Sequence, residues 1–142
     1  MTLADIQITP LARIATPGGD VMHALKQSDI GFSGFGEAYF SWVDPGAVKA
    51  WKRHKRMTMN LVVPLGQVRF VFRALSPLGV EELRSETIGE NRYIRITVPP
   101  GIWFGFQGLD ESPSLLLNMA SIQHDPTEVE RMAFSDVQFN WD

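Results

Sequence analysis

Gly46-Ala47-Val48-Lys49-Ala50-Trp51-Lys52-Arg53-His54-Lys55-Arg56-Met57-Thr58-Met59-Asn60-Leu61-Val62-Val63-Pro64-Leu65-Gly66 is the stretch on which the fold turns. Two glycines frame a cationic segment and a β-branched apolar run, Leu61 to Pro64, so the stretch reads as strand, turn, strand. Five of the chain's 13 Lys and Arg residues fall between Lys49 and Arg56, together with His54, in a protein of formal net charge −3. Such a concentration of positive charge on an acidic background asks for an anionic partner. Alternation along a strand splits the strip. Lys52 and His54 share one face, expected to point inward, while Arg53 and Lys55 take the other and Arg56 lies at the mouth.

The same punctuation continues outward. Apolar runs rich in β-branched and aromatic residues recur at Glu37 to Val43, Gln67 to Phe72, Tyr93 to Val98 and Ser114 to Met119, separated by turn sequences such as Asp44-Pro45-Gly46 and Pro99-Pro100-Gly101. Helix-period segments are scarce. The candidates are Val80 to Ser85 and Pro126 to Met132, with Asp125 as a cap and Pro126 in the first turn. On that reading Glu130 and Arg131 form a local ion pair at a helix end. A length of 142 residues suits one domain over 1–142, and 44% hydrophobic with 20% charged residues is the balance of a globular chain. The absence of cysteine removes disulfides, thiolate metal sites and a cysteine nucleophile. No run approaches the roughly 20 apolar residues of a spanning helix. A cytoplasmic protein without membrane attachment is the expectation.

The spacing of the opening stretch is more specific than its charge. Gly46, five residues, Lys52, one residue, His54, four residues, Met59, six residues, Gly66 resembles the first motif of the cupin family, and Pro99-Pro100-Gly101-Ile102-Trp103-Phe104 resembles the second. The resemblance implies an all-β double-stranded β-helix, a jelly-roll barrel with few short helices. Of the positions that hold metal in such barrels, Lys52, His54, Met59 and Phe104, only His54 is a ligand for a first-row ion, so no metal is expected.

Four segments narrow the resemblance to the dTDP-4-dehydrorhamnose 3,5-epimerases and dTDP-sugar 3,4-ketoisomerases. They are Asp29 to Phe40, Gly46 to Gly66, Val98 to Phe106, and Pro126 to Arg131 with the closing Phe139-Asn140-Trp141. The resemblance implies proton abstraction next to the carbonyl of a dTDP-4-keto-6-deoxyhexose, with no cofactor, in a homodimer serving dTDP-rhamnose or related polysaccharide synthesis. His54 is the candidate base and Lys52 the group that neutralises the enolate. Arg53, Lys55 and Arg56 are candidates for the diphosphate. Glu37, Tyr39, Trp103, Phe104 and Asn118 are candidates to line the substrate pocket. The family's tyrosine acid falls at Leu117 or Asn118, and the aspartate that orients its base has no counterpart before Asp142. The proton donor is therefore left between Tyr39, His124 and water. Two other readings stay open, a 3,4-ketoisomerase and a noncatalytic cupin that binds a sugar or sugar nucleotide. The chain's acidity speaks against nucleic acid, despite Trp51 among the cations.

Overall fold

A computed structural model describes residues 1–142. Twelve strands follow one another: β1 (Gln7–Pro10), β2 (Arg13–Ile14), β3 (Val21–Met22), β4 (Glu37–Val43), β5 (Val48–His54), β6 (Met59–Leu65), β7 (Gln67–Leu75), β8 (Glu81–Gly89), β9 (Ile94–Val98), β10 (Trp103–Gly108), β11 (Ser114–Ala120) and β12 (Val129–Arg131). Two five-stranded antiparallel sheets face each other. The first has the order β1-β9-β6-β11-β4 and the second β12-β5-β10-β7-β8, with β2 and β3 forming a separate ribbon. This is the jelly-roll architecture of the cupins. No helix is long and apolar enough to cross a membrane.

Period-two patterning builds the barrel. On β7, Val68, Phe70, Phe72 and Ala74 point inward, and on β11 every second residue from Ser114 to Ala120 is buried. The four from β7, with Leu116 and Ala120 of β11, join a core of 20 buried apolar residues between the sheets, with Phe70 stacked against Phe72 at 6.3 Å. At about 1.5–3 kcal/mol for each large apolar side chain removed from water, this core is the main source of stability. The framing glycines do what the turns require. Gly46, Gly66 and Gly101 take φ of +74°, +86° and +93°, a region that other residues enter at a cost.

Both expected helices are absent. Glu81 to Gly89 pairs residue for residue with β7 over its whole length, and this ladder overrides a segment of weak helical preference. Asp125 does cap, but it caps a turn: its Oδ1 accepts from the Thr127 amide and hydroxyl, after which the chain straightens into β12. The only helical pieces are 3₁₀ turns at Leu3–Asp5 and Phe134–Asp136.

Two features outside the core position the site. On the outer face of the first sheet, Arg95 is fully buried and donates to Asn60 Oδ1, Ala24 O and Asp29, fastening the loop that leads into β4. On the outer face of the second sheet, Trp51, Val71 and Trp103 form a smaller cluster with Val137 and Trp141 of the chain's last segment.

Candidate active site

β5 is an interior strand between β10 and β12, not an edge. It carries His54 to the inside of the barrel, where the residue is 7% exposed. His54 Nδ1 lies 2.5 Å from Glu128 Oε1, and Glu128 is itself 2% exposed. Glu128 Oε2 accepts from the backbone N–H groups of Arg56 and Met57 at 3.1 and 3.2 Å. A carboxylate already receiving two N–H bonds is an acceptor, so Nδ1 carries the proton toward it and Nε2 is left with a free lone pair. Nε2 has no partner in the fold and is buried beside the Phe104 ring, whose centroid lies 6.2 Å from that of the imidazole.

Burial holds His54 below its ordinary pKa of 6.5 against the upward pull of Glu128, and the charges of Lys52 and Arg131 add to the lowering. For Glu128, burial alone would raise the pKa. The hydrogen bonds from His54 and from the Arg56 and Met57 amides together outweigh it and leave the group below 4.5. The pair is thus neutral imidazole and carboxylate at pH 7. Both shifts bear on stability in the same direction. Below about pH 6.5 the unfolded chain takes up a proton on His54 that the folded chain resists, and below about pH 4.5 it does so on Glu128. The melting temperature is expected to hold steady above pH 6.5 and to fall progressively on acidification. Thermal melts from pH 8 to pH 4 with no such decline would contradict the pairing.

A cavity of about 390 Å³ opens between β4 and β11 on one side and β5, β10 and β12 on the other. Lys49, Lys52 and Arg131 line it, with no Asp or Glu among the lining residues, and none of the three makes an ion pair. Desolvation holds Lys52 below its usual 10.5, and the nearby charges of Arg131 and Lys49 add to this. On the opposite wall Tyr39 and Ser41 project from β4, and Asn118 from the facing position on β11. The Asn118 amide donates to Ser41 Oγ at 3.0 Å and to Tyr39 O at 3.3 Å. Burial raises the Tyr39 pKa and the charge of Glu37 raises it further, so its hydroxyl is protonated at neutral pH. The cavity reaches Lys52 but not His54, two residues along the same face.

A bulge explains why Lys49 joins Lys52. Phe104 pairs with Lys52 but Phe106 pairs with Lys49, so β5 has one residue more than β10 in this interval. The extra residue brings Lys49 onto the inward face. It also presses the strands together, since a Cβ on Gly105 would sit 2.5 Å from that of Ala50.

The expected site residues divide accordingly. Lys52, Tyr39 and Asn118 line the cavity, and His54 and Phe104 lie deeper in the barrel. Trp103 lies on the opposite face of β10, because neighbours on a strand point opposite ways; the Arg53 guanidinium covers its ring at 4.7 Å. Arg53 forms a forked pair with Glu130, Arg56 pairs with Asp125, and Lys55 is exposed and unpaired. The outer cations are therefore largely engaged within the fold, and Glu130 pairs across strands instead of with Arg131. Glu37 Oε1 accepts the backbone N–H of His124, whose residue is exposed. Glu128, Arg131 and Lys49 were not expected in the site. Two of them lie in or beside β12, the segment read as helix, and the third arrives through the bulge.

No family model matches the chain. A dTDP sugar isomerase from Desulfovibrio desulfuricans G20 is 37% identical, with 96% of this chain and 90% of that one covered and a TM-score of 0.89. The probable low-salt glycan biosynthesis epimerase Agl13 of Haloferax volcanii is 34% identical over 92 residues, 62% of this chain but only 58% of that protein's length. The sugar 3,4-ketoisomerase QdtA from Thermoanaerobacterium thermosaccharolyticum, in a mutant form complexed with TDP-4-keto-6-deoxyglucose, shares the fold at 20% identity, with 92% of this chain and 90% of that one covered and a TM-score of 0.76. With an inward histidine held by a buried carboxylate at the edge of a cationic cavity, and with this likeness over nearly its whole length, the chain belongs to the dTDP-sugar isomerase family.

Proposed function

We propose that the protein converts a dTDP-4-keto-6-deoxyhexose by removing a proton next to the carbonyl, in the manner of a 3,5-epimerase. The observation that carries the reading is the buried His54 and Glu128 pair, with Nε2 free, next to a cavity that holds three cations and no acid. His54 Nε2 takes the proton from carbon, and Glu128 stabilises the imidazolium that forms. Electron density moves onto the carbonyl oxygen, where the Lys52 ammonium offsets the charge. Lys49 and Arg131 meet the diphosphate. Substrate reaches Nε2 by displacing the Lys52 side chain, which has the flexibility for it. Tyr39 faces this group from the other sheet, and supports epimerisation because inversion needs a donor on the face opposite the base.

A ketoisomerase moves the proton of C3 to C4 on the same face, which His54 can do, while the hydroxyl proton passes from O3 to O4, so this second reading keeps the same base. Incubation with dTDP-4-keto-6-deoxyglucose in deuterated water separates the cases. Epimerisation places deuterium at C3 and C5, and ketoisomerisation yields the 3-keto sugar. Thermal stabilisation by the nucleotide sugar with neither product would leave a binding protein. We further propose that the protein works in the cytoplasm, in synthesis of rhamnose-type or other polysaccharide precursors; the relative named as a glycan biosynthesis epimerase supports the polysaccharide part of this reading.

We also propose a homodimer. β4 is an edge strand whose outward residues Phe40 and Trp42 are 63% and 58% exposed, next to exposed Leu65. An unpaired edge with large apolar groups is a surface that proteins ordinarily cover. Trp42→Glu is expected to yield a monomer by light scattering; an unchanged dimer would move the interface elsewhere.

A further inference from the structure

The segment Met132 to Asp142 has no group in the cavity beyond Met132, yet it is tied to every part of the site that β12 supplies. β12 is three residues long and has one neighbour, β5. Glu128 stands at its head and Arg131 at its tail. Its head is held by the Glu128 carboxylate, which accepts from His54 and the Arg56 and Met57 amides. Toward its tail the side-chain tie is the Arg53 and Glu130 pair, about one-third exposed, and such pairs contribute little. Beyond β12 the chain crosses the outer face of the second sheet and buries Val137 and Trp141 there. The Trp141 ring packs on Trp51 with centroids 5.5 Å apart, and the Trp141 carbonyl accepts from Arg69.

Trp51 links the two faces of the sheet. Its backbone exchanges hydrogen bonds with Met132, its indole Nε1 donates to Phe134 O, and the residue lines the cavity next to Lys52. The geometry points to the last segment as a strap, seated by Trp141 on Trp51, that positions β12 and thereby both Glu128 against His54 and Arg131 in the cavity. Trp141 is then a positioning residue that touches no substrate. Two buried donors at the seat, Trp141 Nε1 and Arg69 Nε, have no partner. Releasing the strap would hydrate them, which narrows the preference for the seated form.

This inference rests on His54 as the base, and its test has one readout independent of any substrate. In Trp141→Ala, the low-field proton resonance of His54 Nδ1 is expected to broaden away, with kcat on dTDP-4-keto-6-deoxyglucose falling by about 100-fold, the scale of a misplacement near 1 Å. Trp141→Phe, which refills the seat, is expected to keep both. A folded Trp141→Ala variant with the resonance and kcat of the parent overturns the inference. If Trp141→Ala does not fold, Val137→Ala loosens the same seat more gently, and a full resonance with parental kcat in that variant overturns it equally. A protein that loses the resonance but never turned over this sugar would retain the strap and remove the proposed reaction.

Discussion

His54→Asn is expected to lower kcat on the 4-keto sugar by about 10²- to 10⁴-fold, the range a positioned general base supplies. Asparagine keeps an amide within reach of Glu128 Oε1, so the buried carboxylate is not stranded, and the loss falls on proton transfer. KM is expected to change little, because the proposed diphosphate contacts, Lys49 and Arg131, stand apart from the imidazole and line the cavity that His54 does not. Deuterium exchange from solvent into the sugar should fall in parallel with kcat. A folded variant with more than a tenth of the parental turnover would remove His54 from the chemistry and return the assignment to Lys52 or Tyr39.

Glu128→Gln is expected to be nearly as damaging by a different route. The carboxylate accepts from His54 Nδ1 and from two backbone N–H groups. A glutamine has one carbonyl oxygen for these three donors. If that oxygen serves the backbone, its NH₂ faces Nδ1, the imidazole shifts its proton to Nε2, and the lone pair needed for abstraction disappears. The same tautomer error in a protease aspartate and histidine pair costs on the order of 10⁴ in kcat. If the oxygen serves His54, the Arg56 and Met57 N–H groups both lose their acceptor, at about 1–3 kcal/mol for each one kept from water. Either arrangement costs something measurable, and turnover and denaturant melts together show which is adopted. Parental values in both would mean that Glu128 neither orients nor stabilises.

The sequence carried the fold further than it carried the site, for physical reasons visible residue by residue. Glu37 to Val43 and Ser114 to Met119 were legible because burial on one face imprints a period of two. Gly46, Gly66 and Gly101 were legible because left-handed backbone selects glycine. The inward direction of Lys52 and His54 followed from the same alternation. Val80 to Ser85 and Pro126 to Met132 read as helix from local sequence, yet β8 and β12 run through them because their strand state comes from partners distant in the chain. Glu128 is hidden with them, since the carboxylate that holds His54 arrives at the head of β12 and no local pattern marks it. The bulge that turns Lys49 inward, and the outward direction of Trp103, depend on how β5 and β10 pair, which spacing along one strand does not encode.

For the proposed dTDP-sugar substrate, the acid-free cavity also governs arrival. In a chain of net charge −3 the general field repels a nucleotide diphosphate, and the opening lined by Lys49, Lys52 and Arg131 is a local reversal of sign. Capture then depends on a short-range funnel that mobile ions screen over about 8 Å at physiological ionic strength. The bimolecular rate constant for a doubly charged sugar nucleotide should therefore drop steeply with added salt, while the rate of the bound complex stays level, so the ionic strength of the surroundings sets how often this barrel is filled and not how fast it works once filled.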